Sequence, residues 1–300
     1  MSRLLLTGAT GFIGRQLALA AVARGWEVHA PVRVVPEERV DGVEYHAVDL
    51  LDDPAGVRQT VAAIGASHML HLAWYAVPGL YWTSAENFRW VTASMALGDA
   101  FRDAGGRRLV VAGSCAEYDW RFGFCSESVT PLAPATTYGV AKNALRSLLA
   151  SWSVQSDVSF AWGRIFFLYG PGEPRPRLVP SVVTSLLAGR TAECTAGTQV
   201  RDFLHVRDVA EAFLALLASE VEGPVNIASG QAVAVRDVIQ TIAGQLGKTE
   251  LVALGARPMP DEPPLVVADI RRLQREVQWS PRYDLAAGLR ETIEWWRENG

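Results

Sequence analysis

Three glycines spaced three apart, Gly8, Gly11 and Gly14, stand between the apolar run Leu4-Leu5-Leu6 and an amphipathic stretch over residues 12–24. A strand that passes through a glycine turn straight into a helix opens a strand–helix unit. Parallel neighbours need such a crossover, so this opening commits the chain to more of the same. Apolar runs at 3–6, 27–32, 44–48, 68–72, 108–112 and 158–167 read as strands. The stretches 12–24, 84–104 and 137–151 read as helices. The pattern predicts an α/β fold, a Rossmann-type doubly wound parallel sheet with helices on both faces.

After Tyr169-Gly170-Pro171-Gly172 the character changes. Pro174, Pro176 and Pro180 mark a loop, and helical patterns follow at 182–188, 206–217, 235–246, 269–277 and 285–298. Short strand-like pieces at 225–227 and 251–254 fall between them. A smaller mixed α/β part is expected there, with the chain free to cross between the two parts more than once.

The glycine loop carries the first chemistry. Glycines permit a tight turn and close backbone approach, and a helix N-terminus offers free N–H groups to a phosphate. The segment Gly8-Ala9-Thr10-Gly11-Phe12-Ile13-Gly14 therefore predicts a dinucleotide site, with residues 1–170 as the dinucleotide-binding domain and 171–300 as the substrate-binding part. Its G-x-x-G-x-x-G spacing differs from the G-x-G-x-x-G fingerprint, but the physics is shared. The second strand ends in Val32-Arg33, where an NAD site usually carries an acid for the ribose hydroxyls. A guanidinium there suits a 2′-phosphate, so NADP(H) is favoured, with NAD(H) open through Glu37 or Glu38. Asp49 and Leu50 suit an adenine-edge contact, unless Asp49 only caps the next helix.

Tyr138 and Lys142 stand four apart and share one helix face. An ammonium about 4 Å from a phenol favours the phenolate by roughly 4 kcal/mol at an effective dielectric of about 20. That brings a tyrosine towards neutrality and towards proton transfer. Ser114 follows the strand at 108–112, at the strand end where ligands bind in open parallel sheets. Its hydroxyl either meets a substrate carbonyl or caps the next element.

The net charge of −4 gives no reason to expect nucleic acid or an anionic membrane as partner, and no apolar run is long enough for a membrane span. Three scattered cysteines, Cys115, Cys125 and Cys194, suggest a reducing, cytoplasmic setting without a disulfide framework. No Cys/His spacing suits a metal site.

Taken together these residues resemble the extended short-chain dehydrogenase/reductase family, in its branch of nucleotide-sugar epimerases, dehydratases and reductases. The resemblance rests on Thr7-Gly8-Ala9-Thr10-Gly11-Phe12-Ile13-Gly14, His71-Leu72-Ala73, and Ser114-Cys115-Ala116-Glu117-Tyr118. It continues through Tyr138 and Lys142, then 164–171, 201–208, and Trp279-Ser280-Pro281. It implies Tyr138 as general acid/base, Lys142 on the nicotinamide ribose, Ser114 on the reacting oxygen, and Leu72 and Ala73 beside the cofactor. It places Arg201 on the substrate diphosphate, although an ion pair of Arg201 with Asp202 is the structural alternative. It implies a nucleotide-sugar substrate and a homodimer through the helices at 84–104 and 137–151, with Val91, Met95, Leu145 and Leu149 as contacts or as core.

Departures from the family narrow the reaction. Dehydratases of this branch carry an Asp-Glu pair where this chain has Cys115 and Ala116, and the sixth-strand asparagine is Phe167 here. The aromatic run 74–82, with Trp74 and Tyr81, either lines the sugar site or packs on Phe88 and Trp90. Trp120, Arg121 and Phe122 are expected near the same pocket. The expectation is an NADPH-dependent ketoreductase of a nucleotide-linked 4-keto-6-deoxy sugar. The alternatives are a 4-epimerase with tightly bound NAD, a reductase of a non-sugar ketone, and a non-catalytic dinucleotide sensor.

Overall fold

The computed structural model describes residues 2–259 and 261–300. Its centre is a seven-stranded sheet in which every pair is parallel. Five strands lie in the first half: β1 (Arg3–Thr7), β2 (Glu27–Val32), β3 (Val43–Ala47), β4 (His68–His71) and β5 (Arg108–Ser114). Ser159–Ile165 pairs with β5, and Gly223–Ile227 adds the outermost strand beyond it. β1 has β2 on one side and β4 on the other, so strand order reverses there and a crevice opens at their carboxyl ends.

The first helices are α1 (Phe12–Ala23), α2 (Pro54–Ile64), α3 (Glu86–Asp103) and α4 (Thr137–Ser156). After them come α5 (Leu178–Leu187), α6 (Val206–Ala218), α7 (Val235–Leu246), α8 (Arg271–Arg275) and α9 (Leu285–Asn299). α1 and α6 cover one face through Leu17, Ala21, Val209 and Phe213, packed on Leu4, Leu6 and Val110. α2, α3 and α4 cover the other through Val61, Leu97, Phe101 and Leu145, packed on Leu5, Leu109 and Val111. The strand residues of each set alternate, as a sheet buried on both faces requires. A third core joins α5, α7 and α9 around Val183, Ile239 and Leu289.

Several elements differ from the sequence reading, each for a local reason. Helix α2 was absent from it; Asp53 caps Gly56 N at 2.9 Å, Pro54 opens the first turn, and Gly65 closes the helix at φ +56. The long strand expected over 158–167 is two. Phe166 turns into a small core, after which Phe167–Tyr169 pairs with Phe203–His205. α5 starts at Leu178, because Pro180 lies in its first turn, where no N–H is needed. The helix expected over 269–277 is only Arg271–Arg275. Leu145 and Leu149 belong to the core, and Val91 and Met95 pack against it.

Candidate active site

The turn after β1 needs its glycines. Gly8 has φ +74, and a side chain there would meet the Ala73 backbone N at 2.9 Å. A Cβ on Gly14 would lie 1.9 Å from the Gly8 carbonyl oxygen. Gly11 is the N-cap of α1 and supplies no capping side chain, and the first turn holds no acid. The leading N–H groups of α1 are thus left for an anion, as a pyrophosphate cradle requires. Thr10 and Gly11 are exposed at this mouth, and Phe12 and Ile13 are half-buried behind it.

Beneath the loop runs a buried hydrogen-bond chain. Ser94 donates to Trp90 O at 2.6 Å and pairs with His71 Nε2 at 2.8 Å. His71 Nδ1 meets Thr7 Oγ1 at 2.7 Å, and Thr7 Oγ1 takes the N–H groups of Leu72 and Ala73, each at 3.2 Å. One proton order satisfies every group: His71 donates from Nε2 and accepts at Nδ1. Burial pushes the His71 imidazole down to about 3, so it stays neutral in this role. The chain locks the ends of β1 and β4 together under the crevice.

On the far side of the crevice, Val32 is buried and Arg33 exposed. Glu38 is drawn to Arg15 of α1 at 3.5 Å. Asp49 takes the N–H groups of Leu51 and Asp52 at 2.8 and 3.3 Å, so it caps the turn before α2 rather than α2 itself. Leu50 packs on the core below α2.

Tyr138 opens α4, whose N-cap Thr136 accepts from Gly139 N at 3.1 Å. The phenol ring stands edge-on to Trp74, Tyr81 and Trp82, with centroids 6.5, 4.9 and 5.7 Å away. Trp74 also stacks on Trp90 at 6.1 Å and donates to Asn87 Oδ1 at 2.8 Å. The aromatic run therefore packs on Trp90 of α3, as one expectation had it, and it also walls the Tyr138 ring. Trp120 joins it edge-on to Trp82 at 6.5 Å. Arg121 instead pairs with Asp119 at the surface, and Phe122 is exposed.

The phenol does not shift in the direction expected from Lys142. Burial raises the Tyr138 phenol above its ordinary range, opposed in part by the Ser114 hydroxyl. Lys142 shares the helix face, but its side chain runs down to β5, donating to Ala112 O at 2.9 Å. Its ammonium sits 3.7 Å over the Trp74 ring, a cation–π contact worth about 2 kcal/mol when desolvated. Burial lowers Lys142 to about 7, with Glu117 opposing the shift. Sharing a helix face brought the two side chains to one place but did not aim the charge at the oxygen.

Ser114 ends β5, and its backbone enters a one-turn 3-10 helix, Cys115–Glu117. Ser114 Oγ accepts from Ala116 N at 3.2 Å, while Ser114 N donates to Glu117 Oε1 at 2.8 Å, a reciprocal capping box. Of the two expectations for Ser114, the capping role is present in the fold. Glu117 is fully buried and also accepts from Trp162 Nε1 at 2.8 Å and Arg164 Nε at 2.8 Å. Arg164 continues to Tyr118 at 3.0 Å, and Tyr118 donates to Asn226 at 2.8 Å. Cys115 and Ala116 are buried, and burial raises the Cys115 thiol far above its usual range.

Arg201 is 3% exposed and lies 5.2 Å over the Phe167 ring. It pairs with Glu262 at 3.0 Å, not with Asp202. Asp202 instead gathers N–H groups from Ser229 at 2.7 Å, Gly230 at 2.9 Å and Ala268 at 3.2 Å, so the Arg201–Asp202 ion pair is ruled out. His205 is buried between Tyr169 and Tyr283 and lowered by burial to about 4, a packing role.

The NAD dependent epimerase/dehydratase family matches residues 4–228. The chain belongs to this family. It is 27% identical to a dTDP-6-deoxy-L-talose 4-dehydrogenase (NAD(P)(+)) of Kitasatospora kifunensis, over 97% of this chain and 94% of that protein. The solved structure of MoeE5 in complex with UDP-glucuronic acid and NAD is 31% identical, with TM-score 0.86 and full coverage of both chains. A Thermotoga maritima UDP-glucose 4-epimerase with UDP-glucose shares the fold at TM-score 0.89 and 19% identity, covering 99% of each chain. The family is one of NAD-dependent enzymes, and the relatives are sugar-nucleotide dehydrogenases, epimerases and reductases.

Within this family frame, three side chains near the crevice escaped the sequence reading. Glu117 had a signal, an acid three residues after a serine. Arg177 sits over the Tyr81 ring at 5.9 Å, yet nothing in its proline-rich loop announces that. Glu173 is buried beside Arg177, with Oε2 lacking a partner among the described residues, and burial raises its carboxyl to about 8.

Proposed function

We propose that this chain is a ketoreductase that uses NADPH to reduce a nucleotide-linked 4-keto-6-deoxy sugar. The observation that carries the reading is Ser114 at the carboxyl end of β5 beside the start of α4, where a Cβ on Gly139 would meet the Ala116 carbonyl oxygen at 2.3 Å and the Tyr138 ring is walled by Trp74, Tyr81 and Trp82. A phenol that burial keeps protonated is the form that reduction consumes. The buried Cys115 and Ala116 offer no acid–base pair for eliminating water.

The glycine cradle fits a dinucleotide: Gly8, Thr10, Gly11, Phe12, Ile13 and Gly14 would hold its pyrophosphate. Arg33 would take a 2′-phosphate, Asp49 and Leu50 the adenine edge, Leu72 and Ala73 the middle, and Lys142 the nicotinamide ribose. When bound, the dinucleotide supplies the hydride. Ser114 donates a hydrogen bond to the keto oxygen and steadies the charge that develops there. Tyr138 gives its proton to that oxygen. The carbonyl carbon gains the hydride, the oxygen gains the proton, and a secondary alcohol results. Trp74 and Tyr81 would wall the sugar against water, with Cys115, Ala116 and Phe167 on its floor. Arg201 would grip the diphosphate, exchanging Glu262 for it.

The division at about residue 170 belongs to the same proposal, with Gly223–Ile227 returning to the large sheet. So does a homodimer across α3 and α4, where Phe88, Val140, Leu148 and Val154 are exposed. A cytoplasmic setting is supported by three free cysteines. Among the described residues no helix is long and apolar enough to cross a membrane. A second reading, a 4-epimerase with tightly held NAD, is favoured by the 25% identity to a Streptomyces lividans UDP-glucose 4-epimerase over 97% of this chain. The deciding experiment mixes purified protein, NADPH and dTDP-4-keto-6-deoxyglucose. Stoichiometric NADPH loss with formation of the alcohol supports the reductase; NAD that co-purifies, with no net NADPH loss, sinks it.

A further inference from the structure

The outer edge of the large sheet holds a cluster that the reactions above do not use. β2 and β3 pair with His29 opposite Glu44 and Pro31 opposite His46. Side chains two apart on a strand share a face. Glu27 and His29 of β2 therefore face the same way as Glu44 and His46 of β3. β3 is the edge strand, so this group meets solvent.

The distances resemble a coordination shell. His29 Nδ1 lies 3.1 Å from His46 Nε2 and 3.4 Å from Glu44 Oε2. His46 Nε2 lies 3.8 Å from Glu44 Oε1. Donors about 2.0–2.1 Å from a tetrahedral ion stand roughly 3.3–3.4 Å from one another. One ligand atom from each of His29, His46 and Glu44 lies within 4.8 Å of the other two, so a small carboxylate rotation brings three donors to three corners of such a site. The other nitrogen of His29, Nε2, lies 3.1 Å from Glu27 Oε1, and Arg3 holds the same carboxylate at 3.0 Å. A carboxylate behind a ligating imidazole fixes its tautomer and turns the opposite nitrogen towards the metal. His29 is buried, His46 is half-buried and Glu44 is exposed, so the fourth corner opens to water.

We propose that His29, His46 and Glu44 bind one divalent transition ion of the zinc type, with Glu27 orienting His29. Two imidazoles and one carboxylate are a donor set that suits zinc and its neighbours. With no ion bound, His46 donates its Nε2–H to His29 Nδ1; on binding, His46 carries that proton on Nδ1 instead. No motif spacing reveals the site, because its histidines are 17 positions apart and meet only through parallel pairing. The ion would tie the edge strand β3 to β2, the strand that ends just before Arg33. It has no part in the proposed reduction, so the two readings stand or fall separately.

The test is titration of the full chain with Co2+, followed by Zn2+ competition. We expect one Co2+ per chain, with the intense visible absorption of a low-coordinate site, bleached by one equivalent of Zn2+. Glu44→Gln, at an exposed position, and His46→Ala should abolish that absorption, while near-UV circular dichroism and NADPH binding stay as in the wild type. Glu27→Gln should weaken binding by roughly 10–100-fold. Absence of the visible band, or a band and stoichiometry unchanged in both Glu44→Gln and His46→Ala, overturns the site.

Discussion

Replacing Glu117 with glutamine tests whether the buried network behind Ser114 holds the site together. The Glu117 and Arg164 side chains are 0% and 1% exposed and meet at 2.8 Å. Glutamine keeps an oxygen for Ser114 N and Trp162 Nε1, both now at 2.8 Å from Glu117 Oε1. It turns an NH2 group towards the Arg164 guanidinium and leaves that charge unpaired. Breaking a buried pair from one side costs about 3–5 kcal/mol. With a urea slope of about 3 kcal/mol per M, the unfolding midpoint should fall by roughly 1–1.7 M. Urea titration followed by tryptophan fluorescence measures it. The double variant Glu117→Gln/Arg164→Met removes both charges and should recover most of the loss, since apolar replacement of a whole buried pair is often neutral. A single-variant loss below about 1 kcal/mol, or a double variant worse than the single, refutes the reasoning.

Two further outcomes follow from the same geometry. Glu173 has a carboxyl raised to about 8 by burial, so the folded chain holds a proton there that the unfolded chain has released above its usual 4.5. Stability should therefore fall by a few kcal/mol as pH climbs from about 4.5 to 8, and Glu173→Gln should flatten that slope in thermal melts across the range. Arg33→Ser should weaken NADPH binding by roughly 10–100-fold, the worth of a charged hydrogen bond, and leave NADH within about two-fold; equal losses for both would remove Arg33 from the 2′-phosphate.

How far the sequence spoke depends on the range of the interaction. The glycine turn, β1 to β5 and the start of α4 were legible because their signals are local: apolar runs, glycines and helical periodicity. Pro54–Ile64 was open to the same reading, since Val57, Val61 and Ile64 share one helix face and Asp53 and Gly65 mark its ends. The break at Phe166 was hidden because a continuous apolar run looks alike whether one sheet or two receive it. Tyr138 and Lys142 lie on one helix and Ser114 at the end of β5, as read, but the direction of the Lys142 ammonium was not legible. That direction is set by Trp74 and the Ala112 carbonyl, which lie 68 and 30 positions from it. The same limit hid Arg177 over Tyr81, and Glu262 on Arg201.

The account's central claim is that Tyr138 gives the proton that completes carbonyl reduction. Single-turnover reduction of a nucleotide-linked 4-keto-6-deoxy sugar by Tyr138→Phe, with NADPH binding measured on the same sample, tests it most directly. The account predicts NADPH affinity within about two-fold of the wild type and a rate lower by roughly 10²–10⁴. A rate within a few-fold of the wild type would contradict it.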